Sequence, residues 1–295
     1  RGELFRVRAP VSNSLEMTEI QTRLLSEKGP AVLFENIINA DGQQAQMPML
    51  SNLFGTVNRV ALGLNKEVSE LRELGEQLAF LRQPAPPGGW REALDMLPLL
   101  KTVMSMKPKL THRAPCQEVV LTEEAVDLSV LPVQQCWPDE PAPLISWPLI
   151  VTQGREGNTN LGIYRMQILG KDKTLMRWLA HRGGAGHAAE AASTGAAHFP
   201  AAAVIGVDPG TMIAAVTPAP ENISEYQLAG FFRGKSVSLT ECKTVPLKVP
   251  AEAEIIIEGQ ISLTETAPEG PYGDHTGYYN AVEEFPIFKV SAITM

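Results

Sequence analysis

Asn158-Thr-Asn-Leu-Gly-Ile-Tyr-Arg-Met-Gln-Ile-Leu-Gly170, NTNLGIYRMQILG, leaves a polar turn and enters a strand. Strand alternation places Leu161, Ile163 and Arg165 on one face and Gly162, Tyr164 and Met166 on the other. Lys173–Gly184, KTLMRWLAHRGG, follows at once and reads as the hairpin partner. The texture around this pair is uniform from APCQEVVLTEE (114–124) onward, with short apolar runs broken by Pro, Gly and Asp. Strands are expected over 117–121, 146–152, 160–169, 174–181, 202–207, 213–217 and 254–263, and the last residues, FPIFKVSAITM, read as one more. Many short strands at modest spacing favour a barrel or sandwich.

Upstream the pattern differs. Residues 14–28 carry Leu15, Met17, Ile20, Leu24 and Leu25 near helical spacing, stopped by Gly29-Pro30. AVLFEN (31–36) and MPMLSNLFG (47–55) read as strands. Residues 65–82 predict an amphipathic helix, QPAPPGG (83–89) a rigid turn, and WREALDMLPLLKTVM a further helix. The fold class is α+β: an N-terminal α/β domain over 1–115 and a β-barrel domain over 116–295. Within the second, SEYQLAGFFRG (224–234) is a helix with Ser224 as N-cap, and the Ala-rich 183–203 contains a surface helix or loop.

The 295 residues are 44% hydrophobic and 20% charged, a globular balance. A net charge of −8 argues against a dedicated nucleic-acid binder. No run approaches the ~18 apolar residues of a membrane span, and RGELFRVRAP is not a signal peptide. Cys116, Cys136 and Cys242 are scattered without CxxC spacing and read as free thiols of a cytoplasmic protein. The missing initiator Met and the unclosed final strand make both ends look cut.

Four groups of residues bear on chemistry. Arg165 in mid-strand must reach solvent or hold an anion, because an unpaired buried charge is very costly. Arg177, Trp178, His181 and Arg182 with Gly183-Gly184 gather cation, aromatic plane and exposed amides, a combination suited to a nucleotide or flavin. Asn160, His181 and Glu225 form a mixed O/N set suited to Mn²⁺ or Mg²⁺, although from the residues alone Glu225 is better explained as a favourable charge in the first turn of a helix. Glu269 and Asp274 stand in ETAPEGPYGDHTGYY (265–279), whose two prolines and three glycines hold one backbone shape. Converging on one apolar space, one of them would be pushed up in pKa to serve as proton donor; the alternative is a pair of turn carboxylates.

GPAVLFEN, NLFGT, NLGIYRMQ, MRWLAHRGG, VTPAPENISEYQLAG and ETAPEGPYGDHTGYYN together resemble the UbiD family of decarboxylases, over essentially the whole chain. The likeness is closest to its bacterial branch acting on 3-polyprenyl-4-hydroxybenzoate in ubiquinone biosynthesis. The resemblance implies an N-terminal α/β domain, a split β-barrel related to flavin-reductase folds, and a C-terminal domain absent from this chain. It implies prenylated FMN, with Mn²⁺ (or Mg²⁺) and K⁺ at its phosphate, and a flavin prenyltransferase as cofactor source. Asn160, His181 and Glu225 then match the metal ligands; Ile163, Tyr164, Arg165, Arg177, Trp178, Leu179, Arg182 and Gly183 match cofactor contacts. Arg165, Glu269 and Asp274 match the catalytic triad. Homo-oligomers are usual for the family, and the lipophilic substrate implies peripheral association with the inner membrane. A second reading is a truncated flavin-binding or assembly subunit without catalysis.

Overall fold

In the computed structural model, which describes residues 2–82, 90–179, 183–218 and 223–295, the run 158–170 is two strands and not one. The second part of the chain forms β1 (Val120–Thr122), β2 (Leu144–Ile145), β3 (Leu149–Gln153), β4 (Thr159–Ile163) and β5 (Met166–Gly170). It continues with β6 (Lys173–Met176), β7 (His198–Ile205), β8 (Ile255–Glu269) and β9 (Glu283–Thr294). They make one nine-stranded antiparallel sheet in the order β4-β3-β7-β8-β9-β6-β5-β2, with β1 paired to β9.

β4 and β5 lie six steps apart in that order, yet only Tyr164 and Arg165 join them. In a flat sheet six steps would separate them by about 29 Å at ~4.8 Å per strand. The link from Ile163 to Met166 reaches at most about 11 Å. The sheet therefore curls until its two ends meet at Tyr164–Arg165. Register shifts in the β8–β9 ladder at Glu258/Gly259 and between Ile261 and Thr266 bend these long strands as the curl requires.

Both faces of the sheet are covered, which explains why its strands read as apolar runs without clean alternation. Inside the curl Ile150, Tyr164, Met166, Met176, Ala201, Ala203, Ile257, Phe288 and Ile293 form one buried cluster. Leu149, Val151, Leu161, Ala202, Val204 and Ile256 point outward into a second. That second cluster is roofed by α2 (Pro209–Val216), α3 (Glu225–Arg233) and the small sheet of Lys109–Leu110, Ser238–Glu241 and Lys248–Pro250. α1 (Gly183–Ser193) packs against β3 and β4.

The N-terminal part is a βαβ unit. Leu4–Val7 runs parallel to Ala31–Phe34 across the helix Glu16–Ser26, and Met49–Ser51 pairs antiparallel to Ala31–Phe34. Val11, Met17, Val32, Phe34 and Ile37 are its core. Buried Arg59 ties it together, donating to the carbonyls of Gly29, Asn52 and Leu53 and to Glu3. The helix expected over 65–82 begins as a 3₁₀ turn at Val68–Glu70 and runs on as Leu71–Arg82; the next spans Trp90–Ser105. The turn at 83–89 lies outside the described residues.

Three expectations are corrected. Residues 160–169 break at Tyr164–Arg165, and the strand expected over 174–181 ends at Met176, with 177–179 irregular and 180–181 outside the described residues. Of residues 213–217, the first four belong to the helix α2 instead of a strand, and Thr217 is its C-cap. Asp208-Pro209 is a helix-start signature, with the Asp208 carboxylate accepting from Thr211 N at 3.1 Å and Pro209 in the first turn. The short apolar run MIAAV conceals that signature, since buried helices and buried strands look alike over five residues. The helix at 224–234 is as expected, with a capping box between Ser224 and Gln227.

Asp208 also accepts from Thr211 Oγ1 at 2.7 Å and pairs with Arg233 of α3 at 3.3 Å. Asp208→Ala should lower stability by about 1–2 kcal/mol, read as a lower urea midpoint with an unchanged slope. An unchanged midpoint would show that the cap contributes nothing.

Candidate functional site

Glu269, the last residue of β8, is fully buried. Arg165, in the break between β4 and β5, grips it side-on: Nε donates to Oε1 at 2.7 Å and Nη2 to Oε2 at 2.8 Å. Arg177, just beyond β6, donates from Nη1 to Oε2 at 2.7 Å. Glu269 faces Glu283 across the β8–β9 ladder, and like charges directly opposite are destabilising. Arg177 resolves the conflict by also donating from Nη2 to Glu283 at 3.2 Å. Its guanidinium lies 4.9 Å from the centre of the Phe285 ring, and that of Arg165 lies 5.3 Å from the Tyr272 ring.

The Pro/Gly-rich segment folds back from Glu269. Asn280 Oδ1 accepts from Arg165 Nη2 at 2.9 Å and from Tyr272 N at 3.0 Å, while Asn280 N donates to Tyr272 O. Gly270 N donates to Gln167 Oε1, and the fully buried Tyr272 donates its hydroxyl to Ala142 O. Gly273 N donates to Glu140 Oε1 at 3.3 Å. No larger residue fits at 273, because a Cβ there would lie 2.0 Å from the Trp137 ring. Asn280, Gln167 and Glu140 were given no role from the sequence; the first two end the quoted motifs ETAPEGPYGDHTGYYN and NLGIYRMQ, and Glu140 had no local signal.

Asp274 departs from the reading of a shared apolar space and accords with the alternative, a turn carboxylate. It does not share a desolvated space with Glu269: it is exposed, and its Oδ1 accepts from both His275 N and His275 Nδ1 at 2.6 Å. Those bonds, the side-chain one first, hold its carboxyl below the usual range. Five residues of spacing bring the two acids onto one loop, but the loop base buries one and its tip exposes the other.

A second group lies where α1 meets β4. A Cβ at Gly183 would lie 2.1 Å from Asn160 Oδ1, and one at Gly184 would lie 2.2 Å from the Trp178 ring. Gly184 N donates to Tyr164 Oη at 3.2 Å, and the Tyr164 ring meets Trp178 edge-on at 5.3 Å. Two buried donors, Asn160 Nδ2 and Trp178 Nε1, have no partner among the described residues. Glu225 opens α3 close by: burial raises its pKa, while backbone N–H groups of its own turn and of Leu161, next to Asn160, pull it down. Ile163 ends β4, and Leu179 is exposed. Asn160 and Glu225 are thus brought together, whereas His181 and Arg182 lie outside the described residues. Among the described residues no three His, Cys, Asp or Glu side chains cluster as a metal site. Orphaned donors, a carboxylate and a glycine-rich helix start can together hold an anion and a cation.

Comparison with known proteins bears on this arrangement. Residues 108–295 match the 3-octaprenyl-4-hydroxybenzoate carboxy-lyase Rift-related domain, and residues 1–78 match the corresponding N-terminal domain. The chain belongs to the UbiD family. It is similar to the UbiD-class enzyme HmfF from Pelotomaculum thermopropionicum, in an evolved dimeric form in complex with prFMN, with TM-score 0.83 and 25% identity over 99% of this chain and 62% of that one. HmfF in complex with FMN gives TM-score 0.83 and 25% identity, covering 99% and 59% of the two chains. The fold also matches 3,4-dihydroxybenzoic acid decarboxylase from Klebsiella pneumoniae, with TM-score 0.81 and 23% identity over 100% of this chain and 60% of that one. The chain therefore spans less than two thirds of each of these structures.

Breaking a buried ion pair strands an uncompensated charge at a cost of about 3–5 kcal/mol. Glu269→Gln should destabilise the chain by roughly that amount, and Arg165→Gln by less, since Arg177 still holds the carboxylate. Combined, the two should cost clearly less than their sum, with a coupling above about 1 kcal/mol in a urea-denaturation cycle. Strict additivity would show that the pair does not act as a unit.

Proposed function

We propose that this chain carries the cofactor and catalytic parts of a prenylated-FMN-dependent decarboxylase. The substrate is 3-polyprenyl-4-hydroxybenzoate, converted to 2-polyprenylphenol in ubiquinone biosynthesis. The observation that carries the reading is the Arg165–Glu269 pair, buried at the seam of a family-matched sheet and locked to the GPYGDHTGYY segment. The two domains of this reading divide near residue 115, in support of which all nine strands of the curled sheet follow that point. Classing that sheet with the flavin-reductase split barrels rests on the same curl.

The residues present fit a flavin phosphate with its metal. Asn160 Nδ2 and Trp178 Nε1 are buried donors without partners among the described residues, and the two glycines let the start of α1 lie directly against Asn160 and Trp178. Asn160 and Glu225, with His181, would hold Mn²⁺ or Mg²⁺, and K⁺ would share the phosphate. A flavin prenyltransferase supplies the modified flavin, the chain works as a homo-oligomer, and the lipophilic substrate draws it to the membrane surface. No described helix is long and apolar enough to cross a membrane.

When bound, the prenylated flavin supplies the electron sink that loss of CO₂ from an aromatic acid requires. Arg165 orients the substrate carboxylate, and Glu269 fixes the plane of its guanidinium. Asp274 donates a proton to the ring carbon that loses CO₂, and its exposure lets solvent restore that proton. Substrate covering the loop tip desolvates the carboxyl and raises its pKa into the range a proton donor needs.

The test is CO₂ release from 3-polyprenyl-4-hydroxybenzoate by protein reconstituted with prenylated FMN and Mn²⁺, with 3,4-dihydroxybenzoate as comparator. Asp274→Asn should fold and bind flavin normally while turnover falls roughly 10²–10⁴-fold. Normal turnover in that variant would remove Asp274 as the proton donor, and release from the comparator alone would reassign the substrate.

The metal assignment has its own check. Glu225→Ala should lose Mn²⁺ and flavin together, read by metal analysis and flavin absorbance, because without the cation the phosphate charge is poorly neutralised. Retention of both would refute Glu225 as a ligand.

A further inference from the structure

The first turn of α1 is poorly made for a helix. Gly183, Gly184 and Gly186 are three of its first four residues, and glycine is the weakest ordinary helix former. Yet this turn must stay close against Asn160 and Trp178. One turn further on, His187 lies on the same side of the helix as Gly183, four residues before it.

Both ring nitrogens of His187 are engaged with the β3–β4 hairpin. Thr152 Oγ1 lies 3.0 Å from Nδ1, and Asn158 Nδ2 lies 3.0 Å from Nε2. With the Asn158 amide donating, Nε2 is the acceptor and Nδ1–H donates to the fully buried Thr152 hydroxyl. Thr152 is the ladder partner of Asn160, so a single rung of the sheet carries both the anchor of His187 and the orphaned carboxamide. A further bond, Arg155 N to Glu190 Oε2 at 3.3 Å, continues the attachment along the helix.

We propose that His187 is a positioning residue: its two ring hydrogen bonds fix the register of α1 on the β3–β4 hairpin and so hold the Gly183–Gly184 turn, whose Gly184 amide is given to Tyr164 Oη, in place beside Asn160. Its consequence is tighter binding of a flavin phosphate at that point. The ligand rests on the flavin reading given above; the clamp itself does not.

The experiment uses the full chain as wild type, His187→Ala, His187→Gln and Ala189→Gly. The last weakens the same helix at an exposed position away from the clamp. Two quantities are measured: amide hydrogen exchange over 183–188 without ligand, and FMN affinity with Mn²⁺ by flavin fluorescence. His187→Ala should speed exchange across 183–188 and weaken FMN binding about 10-fold or more, the usual effect of losing a partner that orients ligands. His187→Gln keeps a donor and an acceptor and should recover most of both. Ala189→Gly, matched to it in melting temperature, should leave FMN affinity unchanged. Unchanged exchange in His187→Ala overturns the clamp. Faster exchange with unaltered FMN affinity, or equal weakening by Ala189→Gly, overturns the positioning role. A wild type that binds no FMN overturns the flavin assignment and with it the ligand half of the inference, while the exchange data still decide the clamp.

Discussion

A carboxylate with no exposed surface, held by two guanidinium groups, sets the terms for the rest of this molecule. Desolvating Glu269 costs several kcal/mol, and only well-aimed charge-assisted bonds offset such a cost. The chain provides three, from Arg165 and Arg177. Neither arginine is in regular strand: one fills the break between β4 and β5, the other follows β6. Glu269 therefore joins the seam where the curled sheet meets itself. The curl brings the three residues together, and the ion cluster in turn stabilises the curl at the point where no ladder closes it.

The loop after β8 follows from the same constraint. Asn280 Oδ1 reads both the Arg165 guanidinium and the Tyr272 amide, so the loop base cannot shift without disturbing the cluster. Tyr272, Gln167 and Glu140 fasten that base to β5 and to the 137–142 segment. Among the described residues the tip at Asp274–His275 has only local bonds, apart from the edge contact of Tyr279 with Trp137 and its hydroxyl's bond from Asp139 N. The prolines and glycines thus fix where the loop leaves the barrel, and they leave the acid at its tip accessible to solvent. The proposed role of Asp274, a proton donor reloaded between turnovers, would use that division.

What the sequence made legible was local. The helix at 225–233 was readable from Ser224 as its N-cap, and the helix Glu16–Ser26 from its spacing and the Gly29-Pro30 stop, whereas the strand Leu4–Val7 before it was not read. The break at Tyr164–Arg165 was not, since both residues fit the alternation of a continuous strand. α2 was taken for a strand because five apolar residues carry no period, although Asp208-Pro209 held the answer. The Arg165–Glu269–Arg177 cluster spans 104 and 92 residues of sequence and depends on the curl, which no local pattern encodes. Asp274 was placed beside Glu269 by proximity in sequence, whereas burial at a loop is decided residue by residue.

A chain of net charge −8 must still admit anions if it is to take a phosphate and a carboxylate. Distance resolves the difficulty: at physiological salt the Debye length is about 8 Å, so the overall charge is largely screened before a ligand reaches the seam. Nearby, the balance is different. Arg165 and Arg177 together carry two positive charges against one fully buried carboxylate, and Glu283 is more than half exposed. Arg165 Nη1 and Arg177 Nε make no hydrogen bond among the described residues, and both side chains remain about one fifth exposed. Arg177 also pairs with Glu283, so two guanidinium groups stand against two carboxylates and the seam is close to neutral in a chain whose overall charge is negative. Without the second guanidinium the four groups of the seam would keep a net negative charge; with it, an anion of the kind proposed above meets no net repulsion from them.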